Sequence, residues 1–71
     1  MKLHYYPETD SLYIELKTAA GAQTVEVAPG VNADLDASGA VVGFDIDRAS
    51  QTLDLATLET VALPLGATRA A

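Results

Sequence analysis

Apolar and polar residues alternate with a period of two along Val31, Ala33 and Leu35 and again along Val42, Phe44 and Ile46, on either side of Asp36-Ala37-Ser38-Gly39. That period belongs to a strand with one side sunk in a core, so the segment reads as a β-hairpin with one apolar face. Opposing Leu35 to Val42 also opposes Ala33 to Phe44 and Val31 to Ile46, and leaves Ser38-Gly39 as a two-residue turn. A slip of two residues keeps the same faces, whereas an odd slip would bury the aspartates. The second face gathers Asn32, Asp34, Asp36, Asp45 and Asp47, with Val41 and Gly43 between them.

The same parity organises the N-terminal half. Leu12, Ile14 and Leu16 point one way and Tyr13 and Glu15 the other, and Leu3 and Tyr5 belong to the partner strand on the apolar side. Pro7-Glu8-Thr9-Asp10-Ser11 between them is a hairpin turn, because Pro fixes φ and Asp and Ser bond nearby backbone groups. Lys17 to Gln23 follows neither period and reads as a flexible connection. Val25 and Val27 face inward from a short strand that Pro29-Gly30 ends. After Asp47 the alternation stops. Residues 47–52 form a turn of helix, and Asp54 starts a second helical piece whose Leu55, Leu58 and Ala62 lie over the apolar side of the sheet. The expected fold is therefore α+β and mainly β: a small antiparallel five-stranded meander with a short C-terminal helical segment on its apolar face. Residues 1–65 form this single domain, and residues 66–71 are a frayed tail.

Seventy-one residues leave little room for a core. A chain of this size buries only roughly 60% of its unfolded surface, which favours self-association. The absence of cysteine removes disulfides, thiolate nucleophiles and Cys-ligated metals. No run approaches the roughly 18 apolar residues of a membrane span, and the N-terminus lacks the apolar stretch of a signal peptide, so a cytoplasmic protein without a membrane anchor is expected. Ten acidic side chains against four basic ones give a net charge of −6. That balance repels nucleic acid and suits either solubility or a basic protein partner.

Three chemistries fit the polar residues. Asp34, Asp36 and Asp45, with Ser38 and Gly39 between them, imitate the ligand spacing of a calcium loop, although strands flank them and Asp45 is shorter than the usual bidentate Glu. The wider face of Asn32, Asp34, Asp36, Asp45 and Asp47 is an interaction surface, its charge offset by Lys2 and His4 from a neighbouring strand, by Lys17 or Arg48, or by a cation. His4, the sole imidazole, together with a carboxylate would make a minimal enzyme, but no nucleophile, base and orienting group come together, so no catalytic residue is assigned. The three tyrosines are read as core and cross-strand packing, and no cofactor is implied.

Tyr5-Tyr6-Pro7-Glu8-Thr9-Asp10-Ser11-Leu12-Tyr13-Ile14, then Val25-Glu26-Val27-Ala28-Pro29-Gly30-Val31, then the stretch from Asp34 to Ile46, resemble the bacterial domain of unknown function 2283 family across residues 2–58. The resemblance implies a compact β-meander ending in short helical structure. It implies no activity or catalytic residue, and some relatives look like small members of gene pairs of the toxin-antitoxin kind. The expected role is a non-catalytic protein-interaction module that self-associates through a strand edge, guarded only by Pro7, Pro29 and scattered charges. A cation-binding module is the alternative.

Overall fold

In a computed structural model, which describes residues 1–64, the chain forms five strands and two short helical pieces. The strands are β1 (Lys2–Tyr6), β2 (Ser11–Glu15), β3 (Gln23–Ala28), β4 (Val31–Leu35) and β5 (Val41–Ile46), followed by α1 (Ala49–Thr52) and a 3-10 turn at Leu55–Thr57. All neighbouring strands are antiparallel, in the order β1-β2-β5-β4-β3. The fold class is the one the periodicity predicts. The strand order is not sequential, because β5 lies between β2 and β4 and the connection from β2 runs past them to the far edge. Strands β2 to β5 thus form a Greek key, to which β1 adds a hairpin.

The insertion of β5 follows from composition. It is rich in large apolar residues (Val41, Val42, Phe44, Ile46) and gains most from neighbours on both sides, whereas β1 and β3 are exposed along their whole length. On the apolar face Leu12 stands opposite Ile46 and Ile14 opposite Phe44. Leu3 and Tyr5 face Ile14 and Leu12 from β1. Ala49 of α1 closes over Leu12 and Ile46, and Leu53, Leu55, Ile14 and Val31 pack around them. The rest of the expected cover is absent: Leu58 and Ala62 are exposed, and Ala62 has a positive φ, so no helix carries them onto the sheet.

The register of the last hairpin departs from the simple one at its tip. Val31 opposes Ile46 and Ala33 opposes Phe44 as expected, but Leu35 opposes Val41, which leaves Val42 as the extra residue of a bulge. The cause is Asp36. Its Oδ1 accepts the Ser38 backbone N–H at 2.9 Å, the Ser38 hydroxyl at 2.7 Å and the Ala40 N–H at 3.0 Å. The Asp36 N–H in turn donates to the Ala40 carbonyl at 2.8 Å. These bonds build a wider loop than a Ser38-Gly39 turn, and the strand absorbs the difference at Val42. Parity survives, with Ala33, Val42 and Ile46 buried and Asp34 and Asp45 on the opposite face. The expected tail at residues 66–71 lies outside the described residues.

Candidate functional site

The polar face is centred on Gly43. Tyr13 stands on β2 and Asp34 on β4, and β5 runs between them. Gly43 pairs with both Asp34 and Glu15, so a side chain there would block the space above β5. With hydrogen in its place, the Tyr13 ring crosses the strand and its hydroxyl donates to Asp34 Oδ2 at 2.9 Å. Thr24 on β3 donates to Asp34 Oδ1 at 2.8 Å. One carboxylate is thereby held from both sides by hydroxyls, tying β2, β4 and β3 together over β5.

These hydroxyls take the role expected of cations. Lys2 and His4 lie on β1, one strand removed from β5, opposite Glu15 and Tyr13. Lys17 approaches Asp36 instead, at 3.8 Å, an exposed pair of small energetic weight. Asp45 faces Asn32 on β4 and Tyr13 on β2. Partial burial raises its pKa above the ordinary value, and the charges of Asp47 and Asp34 add to the rise. The bond to Asp34 raises the Tyr13 pKa, assisted by partial burial and by the charges of Asp34, Glu15 and Asp45.

The expected set of Asn32, Asp34, Asp36, Asp45 and Asp47 is therefore divided. Asn32, Asp34 and Asp45 share the sheet face, with Asp47 close by. Asp36 turns into its own loop, where the Ser38 hydroxyl and then the Ala40 N–H lower its pKa, with Lys17 a lesser contributor. Asp34, Asp36 and Asp45 do not converge: among the described residues, no three His, Cys, Asp or Glu side chains are grouped to hold a metal ion. His4 stacks on Tyr6, with ring centroids 6.4 Å apart.

A second feature lies on the apolar side. Leu3 and Tyr5 of β1, Leu12 and Ile14 of β2, and Leu53, Leu55 and Leu58 of the C-terminal segment surround a cleft of about 740 Å³. Leu3 is 46% exposed, Tyr5 45% and Leu58 70%. Asp10 braces its end. Held at φ +53° in the β1-β2 turn, its carboxylate accepts the Tyr5 hydroxyl at 2.7 Å, the Ser50 hydroxyl at 2.7 Å and the Ser50 N–H at 3.1 Å. Its carbonyl accepts the Ala49 N–H at 2.7 Å. Asp10 thus caps α1 from forty residues away, a role that Arg48 at the helix start leaves open. The Tyr5 and Ser50 bonds hold its pKa below the ordinary value. Sequence reasoning took Asp10 only as a turn residue, because nothing local links it to position 50.

The fold and its two faces define a small open-sheet domain with a polar hydroxyl-carboxylate clamp and an apolar cleft. A family model described as "Protein of unknown function (DUF2283)" matches residues 2–50, and the chain belongs to that family. The match ends in α1, so it spans the whole sheet. No curated protein and no solved structure matches the chain. No helix of the described residues is long and apolar enough to cross a membrane.

Proposed function

We propose that this protein is a non-catalytic interaction module whose first partner is a second copy of itself. The observation that carries the reading is the unfinished apolar side. Among the described residues the buried apolar set is Leu12, Ala33, Val42, Ile46 and Ala49, two of them alanines, while Leu3, Tyr5 and Leu58 line an open cleft. A core that small stabilises a domain weakly, and association supplies the missing burial. Exposed apolar surface rimmed by polar groups is the usual mark of such a contact. On the polar face Tyr13 and Thr24 already satisfy Asp34, and Asp36 is satisfied within its own turn.

Sedimentation equilibrium of the full chain tests the reading. A dimer is expected at tens of micromolar, with a thermal midpoint that rises with protein concentration because association stabilises the folded state. A strict monomer with a concentration-independent midpoint would refute it.

A further inference from the structure

Among the described residues the sheet has two free edges, β1 and β3, and they are not equivalent. We propose that two copies join through β1, antiparallel and edge to edge, with the two-fold axis at His4, so that two five-stranded sheets become one. The inference rests on the self-association reading and specifies its interface.

The β3 edge is guarded. Its register with β4 shifts between Glu26 and Ala28, leaving Val27 in a bulge. Such interruptions are the devices that keep strand edges from pairing. β1 has no bulge, and Pro7 lies just past its end as Pro29 lies just past that of β3. β1 pairs with β2 residue for residue from Lys2 to Tyr6 without a shift.

Charge makes the same choice. Glu15 lies on β2, Glu26 on β3, Asp34 on β4 and Asp45 on β5, whereas β1, Lys-Leu-His-Tyr-Tyr, has no carboxylate. For a chain of net charge −6, contact along β1 carries the least repulsion between copies. A β3 contact would bring Glu26 of both copies together, with Asp34 one strand behind.

The pairing is also self-complementary. Antiparallel alignment about His4 sets Leu3 opposite Tyr5 of the second copy and Lys2 opposite its Tyr6. Leu3 and Tyr5 both line the cleft, so the two clefts meet across the axis as one apolar trough. The backbone N–H and C=O groups that β1 turns outward gain partners, as in other strand additions. A single two-fold axis closes the assembly and leaves only the guarded β3 edges outermost.

The absence of cysteine provides the test. Facing residues in an antiparallel pair have Cα atoms about 4.5–5.5 Å apart, within the span of a disulfide. The His4→Cys variant, treated with diamide at a concentration where the wild type is dimeric, is expected to cross-link at least about tenfold faster than Glu26→Cys on the β3 edge, because docking raises the effective thiol concentration. The linked form should keep the thermal midpoint of the native dimer. A dimeric wild type whose His4→Cys variant links no faster than Glu26→Cys would overturn the β1 interface while leaving self-association intact. A wild type that sediments as a monomer throughout would overturn both.

Discussion

Replacing Gly43 by alanine sets two physical effects of opposite sign against each other. Glycine inside a strand costs roughly 0.5–1 kcal/mol relative to alanine, so on backbone grounds Gly43→Ala should stabilise. The Tyr13 ring reverses that expectation. A Cβ at position 43 would stand 2.6 Å from Tyr13 Cζ and 3.0 Å from the Ile14 carbonyl oxygen. The ring must then leave β5, and its hydrogen bond to the Asp34 carboxylate goes with it. A hydrogen bond to a charged group contributes roughly 1.5–3 kcal/mol, and this half-buried one belongs at the low end. Crowding against the Ile14 carbonyl, which cannot swing aside, adds about 1 kcal/mol, at the low end for overpacking. After the backbone gain is subtracted, the net loss is about 2 kcal/mol, or roughly 10–15 °C in Tm for a domain of this size.

Urea unfolding followed by circular dichroism measures the effect, with midpoints compared at a common slope. The decisive comparison is a double-mutant cycle with Tyr13→Ala. Without the ring only the Ile14 carbonyl resists, so Gly43→Ala should cost less than about 0.5 kcal/mol in that background, the backbone gain offsetting most of the crowding. A Gly43→Ala protein as stable as the wild type, or an equal loss in both backgrounds, would refute the clamp.

Asp10→Ala is expected to lower the thermal midpoint at neutral pH by releasing α1, while Asp10→Asn, which tolerates the positive φ and keeps an acceptor, should lower it less. Because the folded-state pKa values of Asp10 and Asp36 are depressed, their contribution is present above the ordinary carboxylate range and is lost as pH falls through their lowered values. An acid titration of stability should therefore flatten in Asp10→Asn, and an unchanged acid limb would contradict the assignment. Asp45 has the opposite sign: its pKa is raised, so its charge opposes folding once pH rises above the ordinary aspartate value. Asp45→Asn should accordingly raise the stability at pH 7, by roughly a few tenths of a kcal/mol, with the gain shrinking on acidification. Millimolar calcium or magnesium should leave the midpoint unchanged, since among the described residues Asp34, Asp36 and Asp45 do not converge into a metal-holding group. A rise in the midpoint with added metal would show that a cation binds the folded state.

Residue parity made the sheet legible. Alternation in β1, β2, β4 and β5 assigned Leu3, Tyr5, Leu12, Ile14, Ala33 and Ile46 to one face, and that assignment depends only on the geometry of a strand. Strand order was hidden because periodicity fixes which way a side chain points and says nothing of its neighbour. Placing β2 beside β5 rather than β3 is a long-range choice between equally patterned strands. The bulge at Val42 was hidden for a different reason: one side chain, Asp36, captures three donors in its loop and reshapes the hairpin from its tip. The clamp on Asp34 did leave a trace. A glycine within an apolar strand signals a close approach, and Gly43 marked the spot, but the aromatic that fills it came from a strand thirty positions earlier.

Tyr5 links the two halves of the apolar side. Its ring forms a wall of the cleft at the β1 edge, and its hydroxyl ends on the Asp10 carboxylate that also caps α1. The edge strand and the helical cover therefore depend on the same acidic group, rather than on separate patches of core. Few large residues are buried beneath them, so order at one is transmitted to the other through hydrogen bonds more than through packing. A second copy docked along β1 would fix Tyr5, and through Asp10 would fix α1 and the segment behind it. A dimer joined along β1 would therefore complete the fold as it assembles.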